Sequence, residues 1–151
     1  MERTHKRYCK EDLMKLLIYS GKEKFVSSGA DMKKQVIEGT DLTDTVEGAY
    51  ESIEAFDFIE TSNDKEPLAL LLSRLRKGGR LSLQGIDSLK ASELFVQSAI
   101  DHDAFSNLVV QGNQRATSVN EIVQAVQKNG AYEIEFAGVN GIHYIVEVLK
   151  K

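Results

Sequence analysis

The segment Glu66-Pro67-Leu68-Ala69-Leu70-Leu71-Leu72-Ser73-Arg74-Leu75-Arg76-Lys77-Gly78-Gly79-Arg80-Leu81-Ser82-Leu83 constrains this chain more than any other. Leu68, Leu71, Leu72 and Leu75 recur at i, i+3, i+4 and i+7, the spacing of one buried helical face. Asp64 is a candidate N-cap, and Pro67 falls in the first turn, where a missing N–H is tolerated. Arg76 and Lys77 are expected at the negative end of the helix dipole, with Gly78 taking the left-handed conformation that ends a helix. Leu81 and Leu83 restart with the two-residue period of a strand. The unit therefore reads as helix, glycine pair, strand, which requires a helix packed on a sheet.

The rest of the chain alternates in the same way. Glu11–Ser20 reads as a helix with Leu13, Leu16 and Leu17 on one face and Gly21 as its stop. Lys24–Ser28 reads as a short strand running into Gly29, Gln35–Glu38 as a second, and Ser52–Phe58 as a third with Ile53, Ala55 and Phe56 in the core. Leu89–Ile100 is helical in pattern, whereas Phe105, Leu108, Val109 and Val110 show no clean period. Ser118-Val119-Asn120-Glu121 is a capping box, opening a helix that stops at Gly130. Tyr132, Ile134 and Phe136 alternate, as do Ile142, Tyr144, Val146 and Val148, with the turn Gly138-Val139-Asn140-Gly141 between them. These elements predict one α/β domain over residues 1–151: a mostly parallel sheet with helices on both faces and a C-terminal antiparallel hairpin.

Charge and cysteine usage narrow the function. A net charge of -4 argues against a broad nucleic-acid-binding surface. The single cysteine, Cys9, allows no internal disulfide, and no Cys/His spacing suggests a metal site. Met1–Arg7 is too polar for a signal peptide and no apolar run reaches membrane-spanning length, so a cytoplasmic protein is expected. The chain has no G-x-x-x-x-G-K-[ST] phosphate-binding loop.

The helix–Arg-Lys-Gly-Gly–strand unit, with the terminal hairpin, resembles class I S-adenosylmethionine-dependent methyltransferases. Tyr50–Glu60 is similar to that family's fourth strand, Ser52-Ile53 standing for its Asp-Val/Ile and Glu60-Thr61 for its Glu-His. Phe105-Ser106-Asn107 and Arg115-Ala116-Thr117-Ser118 resemble a late substrate-side insertion of some members. The amino-terminal third departs from the pattern. The family's acidic, glycine-rich loop has one counterpart here, Lys24–Ala30, which keeps only Gly29 and lacks the acidic residue. One strand–helix unit is also missing before Tyr50. The resemblance therefore implies a Rossmann-like methyltransferase fold with a shortened N-terminal half and a degenerate cofactor loop.

By the same resemblance S-adenosylmethionine would be the cofactor and Gly29, Glu38, Asp41 and Glu60 its contacts. Glu38 would grip the ribose after the second strand. Asp41, in Gly39-Thr40-Asp41-Leu42-Thr43-Asp44, resembles the acid after the third. Sequence leaves open which of those two strands is missing. Glu60 is expected at the end of a central strand, facing the crevice where such sheets bind ligands. The plainer readings are a turn glycine, loop-capping carboxylates and a solvated Glu60. Phe56 and Phe58 read as core, His143 as a packed or edge histidine, and neither it nor His102 is singled out as a base. Two functions follow: a methyltransferase of unknown acceptor, or a non-catalytic relative acting as a binding or assembly module, for which a homodimer would cover the lost unit.

Overall fold

A computed structural model of the protein describes residues 14–19 and 34–151. Six strands form one sheet: β1 (Met14–Tyr19), β2 (Lys34–Glu38), β3 (Tyr50–Phe56), β4 (Leu75–Ile86), β5 (Tyr132–Asn140) and β6 (His143–Lys150). Their order is β2-β1-β3-β4-β6-β5. β1 pairs in parallel with β2 and β3, and β3 with β4. The last two strands run antiparallel, closing the sheet as the expected hairpin. Helices α1 (Phe58–Thr61), α2 (Pro67–Leu72), α3 (Ser88–Val96) and α4 (His102–Phe105), a π-helical turn (Ser106–Val110) and α5 (Val119–Gln127) complete the described fold.

The expected helix over Glu11–Ser20 is corrected by β1. Leu16, Leu17 and Ile18 are consecutive and all buried, as happens in a central parallel strand covered on both sides. A short apolar run matches either period, and here pairing to two neighbours decides. The expected strand at Lys24–Ser28, Gly29 and Cys9 lie outside the described residues.

α2 is also shorter than the leucine spacing predicts. It ends at Leu72; Ser73 Oγ donates to the Leu70 carbonyl at 2.5 Å and the Arg74 N–H to that of Leu71 at 3.1 Å. Leu75 is fully buried but already belongs to β4, opposite Tyr50. Arg76 and Lys77 therefore sit in an exposed excursion of β4, not at a helix end; pairing resumes at Ser52↔Arg80. Asp64 does not cap the first turn; its Oδ1 accepts from the Glu66 N–H at 2.9 Å, just ahead of the helix. α3 closes at Val96, four residues before the expected Ile100.

The missing element can now be placed. In the doubly wound order 3-2-1-4-5-6 the second strand flanks the first, and here β2 flanks β1. Residues 39–49, between β2 and β3, contain neither strand nor helix. This crossover instead sends Leu42 into the core (4 % exposed) and is tied down where Arg74 Nε donates to Thr45 Oγ1 at 2.7 Å. The third strand of the doubly wound pattern is therefore replaced by a loop.

Among the described residues, the main core cluster packs Leu16, Ile18, Ile53, Ala55, Leu81, Leu83, Tyr144, Val146 and Val148 of the sheet against Phe58, Ile59, Leu71, Leu72, Ile122 and Val126 of α1, α2 and α5. Among the described residues, no helix is long and apolar enough to cross a membrane.

Candidate functional site

Parallel strands end together, and the strand order reverses between β1 and β3, which opens a crevice at their carboxyl ends. Register defines that edge. Glu38, Tyr19, Phe56, Gln84 and Ile145 are aligned across β2, β1, β3, β4 and β6 in one row. Aligned partners share a face, so the row presents its side chains on one side over roughly 19 Å, at about 4.8 Å per strand step. Glu38 is exposed at the β2 end.

Immediately beyond the row the chain makes a strained turn. Asp57 takes φ 59°, a left-handed conformation uncommon outside glycine. Its N–H donates to the Gln84 carbonyl at 2.9 Å, and its own carbonyl receives Thr61 Oγ1 at 2.6 Å. This turn ends β3 two residues before the expected Phe58, which instead opens α1 and is fully buried. Phe56 is half-buried and lines a cavity of ≈ 220 Å³ with Asp57, Gln84, Asn140, His143 and Ile145. Asn140 and His143 face one another across the hairpin end. The Asp87 N–H, donating to the Ile142 carbonyl at 2.7 Å, locks that hairpin tip to the end of β4.

Glu60 is not at a strand end. It sits on α1, 2 % exposed, beneath β4 on the helix-covered side of the sheet. Its Oε2 accepts from Tyr144 Oη at 2.6 Å and from Thr117 Oγ1, while its backbone carbonyl accepts from the Gln114 N–H at 2.6 Å. Oε1 finds no hydrogen-bond partner among the described residues. A Cβ on Gly85 would lie 2.8 Å from both carboxylate oxygens and 2.7 Å from the Tyr144 hydroxyl, so glycine is what lets β4 close over the cluster. Burial pushes the Glu60 carboxyl above the usual carboxylate range, against the opposing effect of its Thr117 and Tyr144 hydrogen bonds. Burial, with the Glu60 charge beside it, raises Tyr144 well above the normal phenol range, keeping its hydroxyl a donor.

A pH dependence follows. The folded state holds the Glu60 proton more tightly than the unfolded chain does, so the group's contribution to stability is fullest at acid pH. It is lost as pH rises from the unfolded value, about 4.3, through the folded one. Glu60→Gln removes that ionisation. The variant is expected to gain stability relative to the parent by up to about 1.4 kcal/mol per pH unit across that window. Urea melts of both proteins between mildly acid and neutral pH would check it; parallel stability curves would refute it.

The polar seam continues past Glu60. The Arg115 guanidinium donates to the carbonyls of Ile59, Ser62 (3.1 Å) and Asp64 (2.8 Å), satisfying the end of α1 and the loop after it. Asp87, 3 % exposed, accepts from the Lys90 N–H on Oδ2 at 2.9 Å and from the Val119 N–H on Oδ1 at 2.8 Å. One carboxylate thus caps α3 and α5 together. The Ser118/Glu121 capping box is present as expected.

Of the expected cofactor contacts, Glu38 reaches the crevice edge. Asp41 follows it, its Oδ1 occupied by the Thr43 N–H at 2.9 Å and by Thr43 Oγ1, which hold its carboxyl below the usual range. Glu60 lies away from both, on the helix side of the sheet, and Gly29 is outside the described residues. Asp57, Gln84 and Asn140 were not legible as a group, because strand register brings them together; the turn expected at Gly138–Gly141 was the only local signal for Asn140, and the structure instead keeps Gly138–Asn140 in β5 and turns at Gly141 and Ile142. Among the described residues no cluster of His, Cys, Asp or Glu could hold a metal ion.

No family model matches the chain, and no curated protein is similar enough in sequence to count as a relative. Solved structures do match. A SAM-dependent methyltransferase from Thermotoga maritima aligns over 91 % of this chain and 82 % of its own, with 16 % identity and a TM-score of 0.58. One from Mesorhizobium loti aligns over 98 % and 96 %, with 10 % identity and a TM-score of 0.56. The plantazolicin methyltransferase BpumL, solved in complex with a monoazolic desmethylPZN analog and SAH, aligns over 91 % and 76 %, with 10 % identity and a TM-score of 0.57. At such identities the likeness is one of architecture: the chain has the Rossmann-like fold of the class I S-adenosylmethionine-dependent methyltransferases.

Proposed function

We propose that the protein is an S-adenosylmethionine-dependent methyltransferase whose donor lies across the carboxyl ends of β2, β1 and β3. The observation that carries this reading is the row Glu38–Tyr19–Phe56 at the strand-order reversal, with an exposed carboxylate at the end of the second strand. A carboxylate there suits a vicinal diol, since it accepts two hydrogen bonds and a ribose offers two donors. Glu38 would hold the ribose, Tyr19 and Phe56 would border the sugar and sulfonium side, and Asp41 would brace the loop after β2. Bound there, the donor supplies an electrophilic methyl group. The chain's own part is orientation and exclusion of water, so no strong base is required of it. The likeness in fold to methyltransferases, one of them solved with SAH, supports the reading.

Calorimetric titration with S-adenosylhomocysteine tests it. Saturable binding is expected, and Glu38→Ala should weaken it about 10- to 100-fold, the loss of charge-assisted hydrogen bonds of about 1.5–3 kcal/mol. Absence of binding by the parent protein would leave a non-catalytic module with a methyltransferase's frame.

A further inference from the structure

The buried Glu60 carboxyl has a cover of unusual backbone. Between α3 and α5 the chain runs through α4 and the π-helical turn Ser106–Val110. Such turns are rare and collect at functional sites. Leu108, Val109 and Asn113 border a void beside Glu60, together with Ile86, Ser88 and Thr117, and the void is too narrow to seat a water molecule. The turn is held by local bonds. Asn113 Nδ2 donates to the Val109 carbonyl at 3.0 Å, the Gln111 N–H to Ser106 at 2.9 Å and the Asn113 N–H to Val110 at 3.1 Å. On one side Phe105 stacks on Phe95 of α3, centroids 4.9 Å apart; on the other, the Gln114 and Arg115 N–H groups pin the chain to the Glu60 carbonyl. No residue of α4 or of the turn is fully buried, so little apolar contact opposes its lifting.

Beneath this cover the two carboxyl oxygens are treated differently. Oε2 accepts from Tyr144 and Thr117, and Oε1 is buried with no partner. That division matches a neutral carboxyl, whose carbonyl oxygen has two lone pairs to fill and whose other oxygen carries the proton. An ionised carboxylate would leave half its charge on an oxygen with neither donor nor water. The upward shift that burial gives Glu60 runs the same way. The charged groups around it are otherwise spent. Asp57 opposes a second negative charge on α1, Arg115 is held by the carbonyls of Ile59, Ser62 and Asp64, and Asp87 caps two helices. Lys90 and Glu93 of α3 pair with each other at 2.8 Å. His143 precedes Tyr144 on β6 and so falls on the opposite face of the sheet. The π-helical turn has no ionisable side chain, and His102 and Asp103 of α4 are exposed.

We propose that the π-helical turn is a pH-gated flap, closed over a neutral Glu60 and unwound at Leu108–Asn113 when Glu60 gives its proton to water. Unwinding admits water to Oε1 and uncovers Ile86 and Ser88, at the same end of the sheet as the crevice. The closed form binds one proton more than the open form, in which the carboxyl titrates near its ordinary value of about 4.3. The open population therefore grows up to about tenfold per pH unit above that value, until the closed form itself ionises, and at lower pH the flap stays shut. This inference does not depend on the methyltransferase reading.

Amide hydrogen exchange from mildly acid to neutral pH tests it, with rates corrected for their intrinsic pH dependence. Protection of the Gln111 and Asn113 amides should fall up to about tenfold per pH unit, lie well below that of β4 and β6, and ignore urea too dilute to unfold the protein. In Glu60→Gln, which keeps the shape without the ionisation, that protection should no longer vary with pH. His102→Gln, which removes the nearby exposed imidazole, should keep the parent's profile. Should Glu60→Gln not fold, the parent and His102→Gln decide: pH-dependent, urea-insensitive protection in both upholds the flap. A pH profile that survives Glu60→Gln or vanishes in His102→Gln overturns it. So does a urea dependence equal to that of the β6 amides, which would mean that the turn opens only when the whole protein unfolds.

Discussion

Gly79→Ala is expected to destabilise the protein by about 3 kcal/mol, at the upper end of overpacking costs. A Cβ there would lie 2.8 Å from the Tyr50 carbonyl oxygen, 2.9 Å from that of Arg76 and 3.1 Å from Leu75 Cδ2. Two of those three atoms are backbone, and Tyr50 and Leu75 are fully buried and paired across β3 and β4, so nothing can retreat. The neighbouring glycine behaves differently. Gly78 has φ +83° and open space where a Cβ would stand. Gly78→Ala should therefore cost only the left-handed backbone penalty, about 1–2 kcal/mol. One glycine serves for space and the other for dihedral freedom. Thermal melts would separate them, at roughly 2–4 °C per kcal/mol for a chain of this size. Equal losses at the two positions would contradict the packing seen around Gly79.

Asp87→Ala should be comparably damaging, by about 2–4 kcal/mol. Losing one N-cap costs about 1 kcal/mol, and here one side chain caps two helices from a buried position. The freed N–H groups of Lys90 and Val119 would be left without water, which adds desolvation cost. Asp87→Asn keeps one acceptor oxygen and should fall between the parent and alanine, with one helix uncapped. Amide exchange would show this, with protection falling at the starts of both α3 and α5 in Asp87→Ala. Loss confined to one helix in that variant would mean that the shared cap is not what joins them.

Individual elements differed in how openly they were written. The capping box at Ser118–Glu121 and the alternation of β5 and β6 could be read directly, since their residues interact with near neighbours along the chain. β1 could not. Met14–Tyr19 is too short for its period to separate strand from helix, and only the two parallel partners show that Leu16, Leu17 and Ile18 are all inside. Leu75 misled for a related reason: it is buried whether the helix continues to it or a strand begins there. Glu60 looked like a crevice residue because its segment resembles a strand end. The left-handed turn at Asp57 starts a helix instead and carries the carboxylate under β4.

Local patterning was enough to establish an α/β chain with a helix–glycine–strand unit and a closing hairpin, because helix periods, caps and tight turns are set over fewer than about ten residues. What lines the crevice was settled only when the strands came together. The Glu38–Ile145 row is a consequence of register, and Glu60 meets Thr117 and Tyr144 across 57 and 84 positions of chain. Contacts at that separation leave no period in a sequence. They exist because burying one face of a sheet permits a single alignment of its strands, and that alignment assembles the site.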